Sequence, residues 1–253
     1  MSRNFELLDQ LRKTQEMLQT ESVPVLGTVL PAEAFTAAVP ALEIDEATRE
    51  EIGKLVQRLF LLPGTDAARH VVFSGTEAGV GCSWICARVG EILASQVNTS
   101  VCIVDCSLRA PSLHEQFNVD NRDGLIDALI GEGPIRQYAQ QLSRPNLWLV
   151  SSGADNSNAQ ELLTSDRMRT RISELRSQFN YVLMDVAPFN VCNHAMVFGG
   201  LSDGLVLVLK ANSTRRDATR DIKQQLQAAN VRMLGAVLNQ RTFPIPERIY
   251  NKL

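Results

Sequence analysis

Residues 75–84 read GTEAGVGCSW, and their types and spacing suit phosphate chemistry. Gly79 and Gly81 permit tight turns that point successive backbone N–H groups inward, a cradle for oxyanions. A helix starting directly after them would add the positive end of its dipole. Ser83 offers a hydroxyl to Mg²⁺, and Val80 and Cys82 complete the stretch that would touch phosphate. Cys82, however, stands where such loops carry a lysine. A neutral thiol supplies no charge to the β- and γ-phosphates or to the charge that builds during transfer. Losing one well-placed stabilising group commonly costs on the order of 100- to 1000-fold in rate. The stretch is therefore either a nucleotide cradle without its driving cation or a plain turn between strand and helix.

Two carboxylates could complete such a site. SVCIVD ends at Asp105 and YVLMD at Asp185, each an apolar run closed by an acid. Both should project at the edge where the loop lies, and aspartates so placed hold a nucleotide's magnesium directly or through water. Strand-end aspartates that merely cap turns are the alternative. Cys82 sits at a helix N-terminus, which lowers a thiol pKa, so it is expected to be the most reactive cysteine, with a buried inert thiol as the alternative. Cys82/Cys86 and Cys102/Cys106 invite a metal reading, but each pair is spaced wider than a metal knuckle. With an odd total of five cysteines, ordinary reduced thiols are expected rather than a disulfide framework. His70, His114 and His194 lack ligand spacing and read as structural.

Positioning these groups requires strands and helices in alternation. Apolar, β-rich runs occur at 70–75, 100–105, 147–152, 181–186, 204–210 and 233–239. Most are near-continuous, as parallel strands buried on both faces require. Helical patterns fill the intervals at 82–96, 124–131, 165–179 and 214–229, with Ser165 and Asp166 as caps of the third. The pattern predicts an α/β fold, a doubly wound and mainly parallel sheet with helices on both faces, of the P-loop NTPase kind. Ligands in such sheets bind beyond the carboxyl ends of the strands. Ahead of this lie an amphipathic segment at 3–20, a proline-bearing linker at 21–45 and a further helix at 47–61, followed by a PGTD turn. The expected division is residues 1–46 as helix and linker and 47–253 as the P-loop domain.

Bulk properties narrow the function classes. The 253 residues are 45% hydrophobic and 21% charged, enough for a sizeable core. A net charge of −3 gives no basic excess for nucleic acid or an anionic membrane. No apolar run reaches the roughly 18 residues of a membrane span. With no apolar signal core at the start, a cytoplasmic protein is expected.

Several motifs in order resemble the bacterial tyrosine kinases of capsule and exopolysaccharide synthesis, P-loop ATPases related to the partition ATPases. They are CIVDCSLRAPSLHEQF…GLIDALIG (102–131), LWLVSSGADNSNAQELLTSDRMRTRISELRSQFNYVLMDVAP (147–188), SDGLVLVLKANSTRRD (202–217), LGAVLNQ (234–240) and the ending PIPERIYNKL. The resemblance spans roughly residues 47–253. It implies ATP or ADP with Mg²⁺ as cofactor, held by Gly79, Val80, Gly81, Cys82 and Ser83, with Arg109 and Asn239 beside them. Asp105 and Asp185 would be catalytic, and Ser83, Asp105 and Asp185 would ligate the metal. Departures are concentrated at the chemistry. The loop lysine is Cys82, and the second acid of the family's Asp-x-Asp-x-x-Arg motif is Ser107. Its tyrosine cluster is reduced to Tyr250, the other tyrosines being Tyr138 and Tyr181. Arg109 and the Arg215–Arg216 pair are candidates to replace the missing charge. The family's subunit-contact helix, Glu-x-x-Arg-x-x-Arg, has as its counterpart Glu51, Lys54, Gln57 and Arg58. Two readings result: a degenerate member regulating polysaccharide synthesis or export, or an active autokinase with an unusual loop. Either implies a membrane chain-length or polysaccharide-export protein as partner, at the inner membrane, with a homo-oligomer as a further expectation and no nucleic acid.

Overall fold

In a computed structural model of the protein, residues 44–62, 67–153 and 159–241 are described. The segment expected at 3–20, the linker expected at 21–45 as far as residue 43, the PGTD turn at 63–66 and Tyr250 lie outside the described residues.

Asp45 opens the described chain as an N-cap, its carboxylate accepting from Thr48 N at 2.7 Å, and α1 (Glu46–Val56) comes next. The helix expected to run to 61 instead widens at Val56 into a π-helical turn, Gln57–Leu61, that seats both Leu59 and Phe60 in the core. Phe60 meets Tyr181 edge-on, with ring centroids 5.8 Å apart. The alternation then unfolds as β1 (His70–Gly75), α2 (Cys82–Gln96), β2 (Val101–Cys106), α3 (Leu113–Phe117) and α4 (Leu125–Ile130). After a 3₁₀ turn come β3 (Gln140–Gln141), β4 (Leu147–Val150), α5 (Ala159–Leu163) and α6 (Asp166–Gln178). The chain continues through β5 (Tyr181–Val186), α7 (His194–Gly200), β6 (Gly204–Lys210), α8 (Arg216–Ala228) and β7 (Met233–Asn239).

The seven strands form one sheet in the order β3-β4-β2-β5-β1-β6-β7, parallel throughout except for the β3–β4 pair. The central strands β1, β2 and β5 are buried along almost their whole length, as their near-continuous apolar sequences require. One apolar cluster fills the face under α1 and α2, and a second fills the opposite face under α4 to α8. On the first face α2 comes so close to β2 that a Cβ on Gly90 would collide with Ile103, so glycine sets the helix–sheet distance. At the edge, β7 departs from the expected burial on both faces: its residues are half-buried or exposed, and Leu238 is 57% exposed. Ser165 caps α6 as expected, its hydroxyl accepting from Met168 N.

Candidate functional site

The site begins where β1 ends. Gly75, the last residue of β1, passes its carbonyl to Phe189 N at 3.0 Å, and Thr76 N donates to Val208 O at 3.2 Å. The loop root is thus tied to the turn after β5 and to β6. Gly79 and Gly81 adopt left-handed φ of 81° and 83°, which favour glycine, and Gly81 is the N-cap of α2. Between them Val80 is buried, wedged over Gly75. From the far side of the sheet, the end of β7 grips the loop. Asn239 Nδ2 donates to Val80 O at 2.9 Å, and Gln240 Nε2 donates to Gly79 O at 3.0 Å. Both bonds hold carbonyls outward, consistent with N–H groups facing the mouth of the site, where the first-turn amides of α2 lack helical partners.

Asp105 and Asp185 stand directly opposite each other in the parallel register of β2 and β5, both buried. Their surroundings differ. Asp105 Oδ1 accepts from Ser107 N at 3.0 Å, while Oδ2 accepts from Ser112 N and Leu113 N, both at 3.1 Å. Asp185 Oδ2 has no hydrogen-bond partner among the described residues. Burial raises both carboxyl pKa values, and the three N–H bonds oppose the rise at Asp105. Asp185 is pushed up to about 7 by burial first and by the charge of Asp105 second. Hydrogen bonds from Ser83 and Cys82 to Asp185 act against that rise.

Cys82 therefore does not behave as its place at a helix N-terminus predicts. Its half-buried side chain turns inward to Asp185, and burial together with that carboxylate pushes its thiol well above the ordinary value. The expectation that it is an activated thiol is corrected: desolvation and a like charge outweigh the helix dipole. Cys86 and Cys106, also buried nearby, shift the same way. Among the described residues, no three His, Cys, Asp or Glu side chains form a metal-binding group.

The remaining site residues spread along the same edge. Arg109 comes after β2 and lies with Cys192 and His194 around a small cleft, where burial first and the Arg109 charge second lower the His194 pKa. Arg215 precedes α8, next to Thr214, whose hydroxyl lies 3.4 Å from that of Thr76 in the loop. Lys54, in the helix that resembles the subunit-contact segment, pairs with Glu50 at 3.0 Å and Glu51 at 2.9 Å. At Asp105 the turn-capping alternative fits, and two features were not read from the sequence: the thiol–Asp185 contact and the Cys192 Sγ···His194 Nδ1 approach of 3.4 Å. Only the last left a signal, a Cys-x-His spacing directly after a site strand.

Magnesium fits one of these acids better than the other. Asp185 Oδ2 is buried and unpartnered beside the Ser83 hydroxyl, the donor pair a hard cation would take. Asp105 has both oxygens engaged by the backbone. The glycines fit phosphate: a Cβ on Gly81 would collide with Asn239, while Gly79 opens on free space.

Comparison with known proteins places this geometry. The family model described as "Cellulose biosynthesis protein BcsQ" matches residues 68–233. The chain belongs to the BcsQ family. Tyrosine-protein kinase YwqD of Bacillus subtilis is 28% identical over 171 residues, covering 68% of this chain and 72% of YwqD. The succinoglycan biosynthesis transport protein ExoP of Rhizobium meliloti is 27% identical over 71% of this chain, which spans only 23% of ExoP. The crystal structure of the chimerical protein CapA2B2 superposes with a TM-score of 0.70 at 25% identity, over 77% of this chain and 85% of that one. Solved kinase domains of bacterial tyrosine kinases and partition-type ATPases share the fold, as the expected P-loop architecture requires. Among the described residues of this BcsQ-family chain, no helix is long and apolar enough to cross a membrane.

Proposed function

We propose that this chain is a degenerate, tyrosine-autokinase-like P-loop protein that regulates polysaccharide synthesis or export and hydrolyses ATP weakly or not at all. The observation that carries this reading is Cys82: a thiol stands in the lysine's place and faces buried Asp185. No cation reaches phosphate from that position. Gly79 to Ser83 would hold the phosphates of ATP or ADP through backbone amides, and Ser83 and Asp185 would hold Mg²⁺. A magnesium ion held there would neutralise part of the phosphate charge. Asp105, both of its oxygens taken by backbone N–H groups, organises the 107–113 turn. The BcsQ family's description and the name of ExoP support a role in polysaccharide assembly. A membrane chain-length or export protein is the partner in this reading, which brings the chain from the cytoplasm to the inner membrane, and self-association is expected by analogy with the kinase relatives.

Calorimetric titration with Mg-ATP, then incubation with labelled ATP beside YwqD, tests the proposal. Expected are measurable binding and turnover on the order of 100-fold or more below YwqD, the loss usual for one missing stabilising group. Turnover equal to YwqD, or label on Tyr250, would instead establish an active autokinase.

A further inference from the structure

The opposite end of the sheet carries a second polar site. Where β1 and β5 begin, a cavity of about 130 Å³ opens between Arg69, His70, Arg176, Gln178, Phe179 and Asn180. β1 is six residues long, so this cavity lies roughly 20 Å from the loop at its other end. It belongs to neither the phosphate loop nor the paired aspartates.

Its lining is unusual in what it leaves unsatisfied. His70 is 7% exposed, and its Nε2 has no hydrogen-bond partner. Its Nδ1 stands 3.5 Å from Asp203 Oδ2 and also lacks a hydrogen-bond partner among the described residues. Gln178 Oε1 is likewise buried without a partner. Buried polar atoms are rarely left this way, and a cavity of this size has room for several waters or one small ligand. Arg69 is exposed and makes no ion pair among the described residues. Arg176 is held in place, donating to Leu201 O at 3.1 Å and to Asp203 Oδ1 at 3.0 Å. Asp203 also accepts from Arg69 N at 2.7 Å and His70 N at 2.9 Å. The Asn180 side-chain oxygen is taken by Ser100 Oγ at 3.0 Å, leaving its NH₂ group to donate.

Charge decides the ligand class. Two guanidiniums against one carboxylate leave a net positive lining, which favours an anion. The carboxyl end of α6 opposes an anion here with about half a charge, less than the net positive charge left by the guanidiniums and Asp203. Gln178 Oε1 accepts only, so the ligand must also donate, as a P–OH or a neighbouring hydroxyl does. Simple carboxylates and sulfate lack that donor at neutral pH, whereas hydrogen phosphate and sugar phosphates carry it. We infer that this cavity is a second oxyanion site for a phosphate group bearing a hydroxyl, either free phosphate or a small phosphate monoester. Arg69 and Arg176 would take the charge, His70 Nε2 and the Asn180 NH₂ the oxygens, and Gln178 the ligand's hydroxyl.

His70 supplies a local reporter. Burial first, with Arg176 and then Arg69 adding, lowers its pKa, and Asp203 opposes them. An anion seated among them favours imidazolium and raises that pKa. The full-length chain, isotope-labelled, is titrated with inorganic phosphate and separately with a hexose phosphate while the His70 ring is monitored by NMR. Expected are saturable shifts of the ring and an upward move of its titration midpoint. Arg69→Gln should weaken this binding about tenfold, the loss of one charge-assisted hydrogen bond, and leave the unliganded melting midpoint unchanged. Tighter binding of the hexose phosphate identifies a monoester ligand, and equal binding identifies phosphate itself. A His70 ring that does not respond, shifts confined to the 79–83 loop, or unaltered affinity in Arg69→Gln would overturn the inference.

Discussion

β2 and β5 are neighbouring strands, each apolar until an aspartate at the same level, yet the two carboxylates end in different chemical states. Asp105 is wrapped by three backbone amides of its own turn. Asp185 faces a hydroxyl and a thiol, with one oxygen unpartnered among the described residues. The contrast arises in the loops that leave the two strands. After Asp105 the chain folds back through Ser107 and Ser112 to cap the carboxylate. After Asp185 it runs on through Ala187 and Pro188, and Ala187 O accepts from Ser74 Oγ at 3.0 Å. Identical strand endings thus yield a scaffold acid in one place and an acid suited to a cation in the other. The missing lysine matters because it would have stood beside the second.

The strongest test of the comparison is Asp105→Ala. It strands three N–H groups, one buried and two half-buried, and should lower unfolding stability by about 3 kcal/mol at neutral pH, partly offset by relief of repulsion on Asp185. Asp105→Asn should fall between, keeping one acceptor oxygen. Urea denaturation checks both; a midpoint unmoved by the alanine change would erase the scaffold role.

Asp185 should respond in the opposite sense. Its folded pKa, about 7, lies above its ordinary value of 3.8, so the folded state binds the extra proton between those limits. Stability contributed by the protonated form is complete below about pH 4 and lost as pH rises through 7. Asp185→Asn removes that loss. It should stabilise the protein by about 2 kcal/mol at pH 8 and leave it unchanged at pH 4, less than the full shift because water relaxes buried charges. Parallel thermal melts at both pH values read this directly, and an equal change at both would remove the asymmetry.

Cys82→Lys converts the second acid's surroundings into those of an ordinary loop. An ammonium between Asp185 and the phosphates should raise Mg-ATP affinity about tenfold, near 1.4 kcal/mol, and flatten the pH dependence seen with Asp185. Unchanged titration curves would show that position 82 does not face phosphate.

Much of the frame was legible because it rests on local pattern. The near-continuous apolar runs 181–186 and 204–210 and the helical stripe 82–96 have the bounds the structure shows. Long-range partners were not legible. Gln140–Gln141 is a two-residue polar strand visible only as the antiparallel neighbour of β4. The π-helical turn at 57–61 answers to packing, where Leu59 and Phe60 must both be buried, and helical periodicity carries no sign of it. Cys82 misled for the same reason. A helix N-terminus is read from adjacent residues, but the buried carboxylate that reverses its effect arrives from a strand some hundred residues later, through the parallel sheet.

The smallest effect concerns the bonds that hold the loop in position for Asp185. Asn239 ends β7, a strand with no fully buried residue, yet its amide donates to Val80 O at 2.9 Å. Gln240 makes the companion bond to Gly79 O in an exposed setting. Exposed hydrogen bonds exchange readily with water, so Gln240→Ala should be nearly silent, whereas Asn239→Ala should cost about 1 kcal/mol. The fall should be accompanied by weaker Mg-ATP binding, because the loop amides lose their fixed orientation while Asp105, bonded within its own turn, is untouched. Hydrogen exchange at Gly79 to Ser83 and at Ser107 to Leu113 separates the two regions. Faster exchange in the first with no change in the second is expected. Equal acceleration in both would mean that the two aspartate regions share one support, and that their difference is not built in by their separate turns.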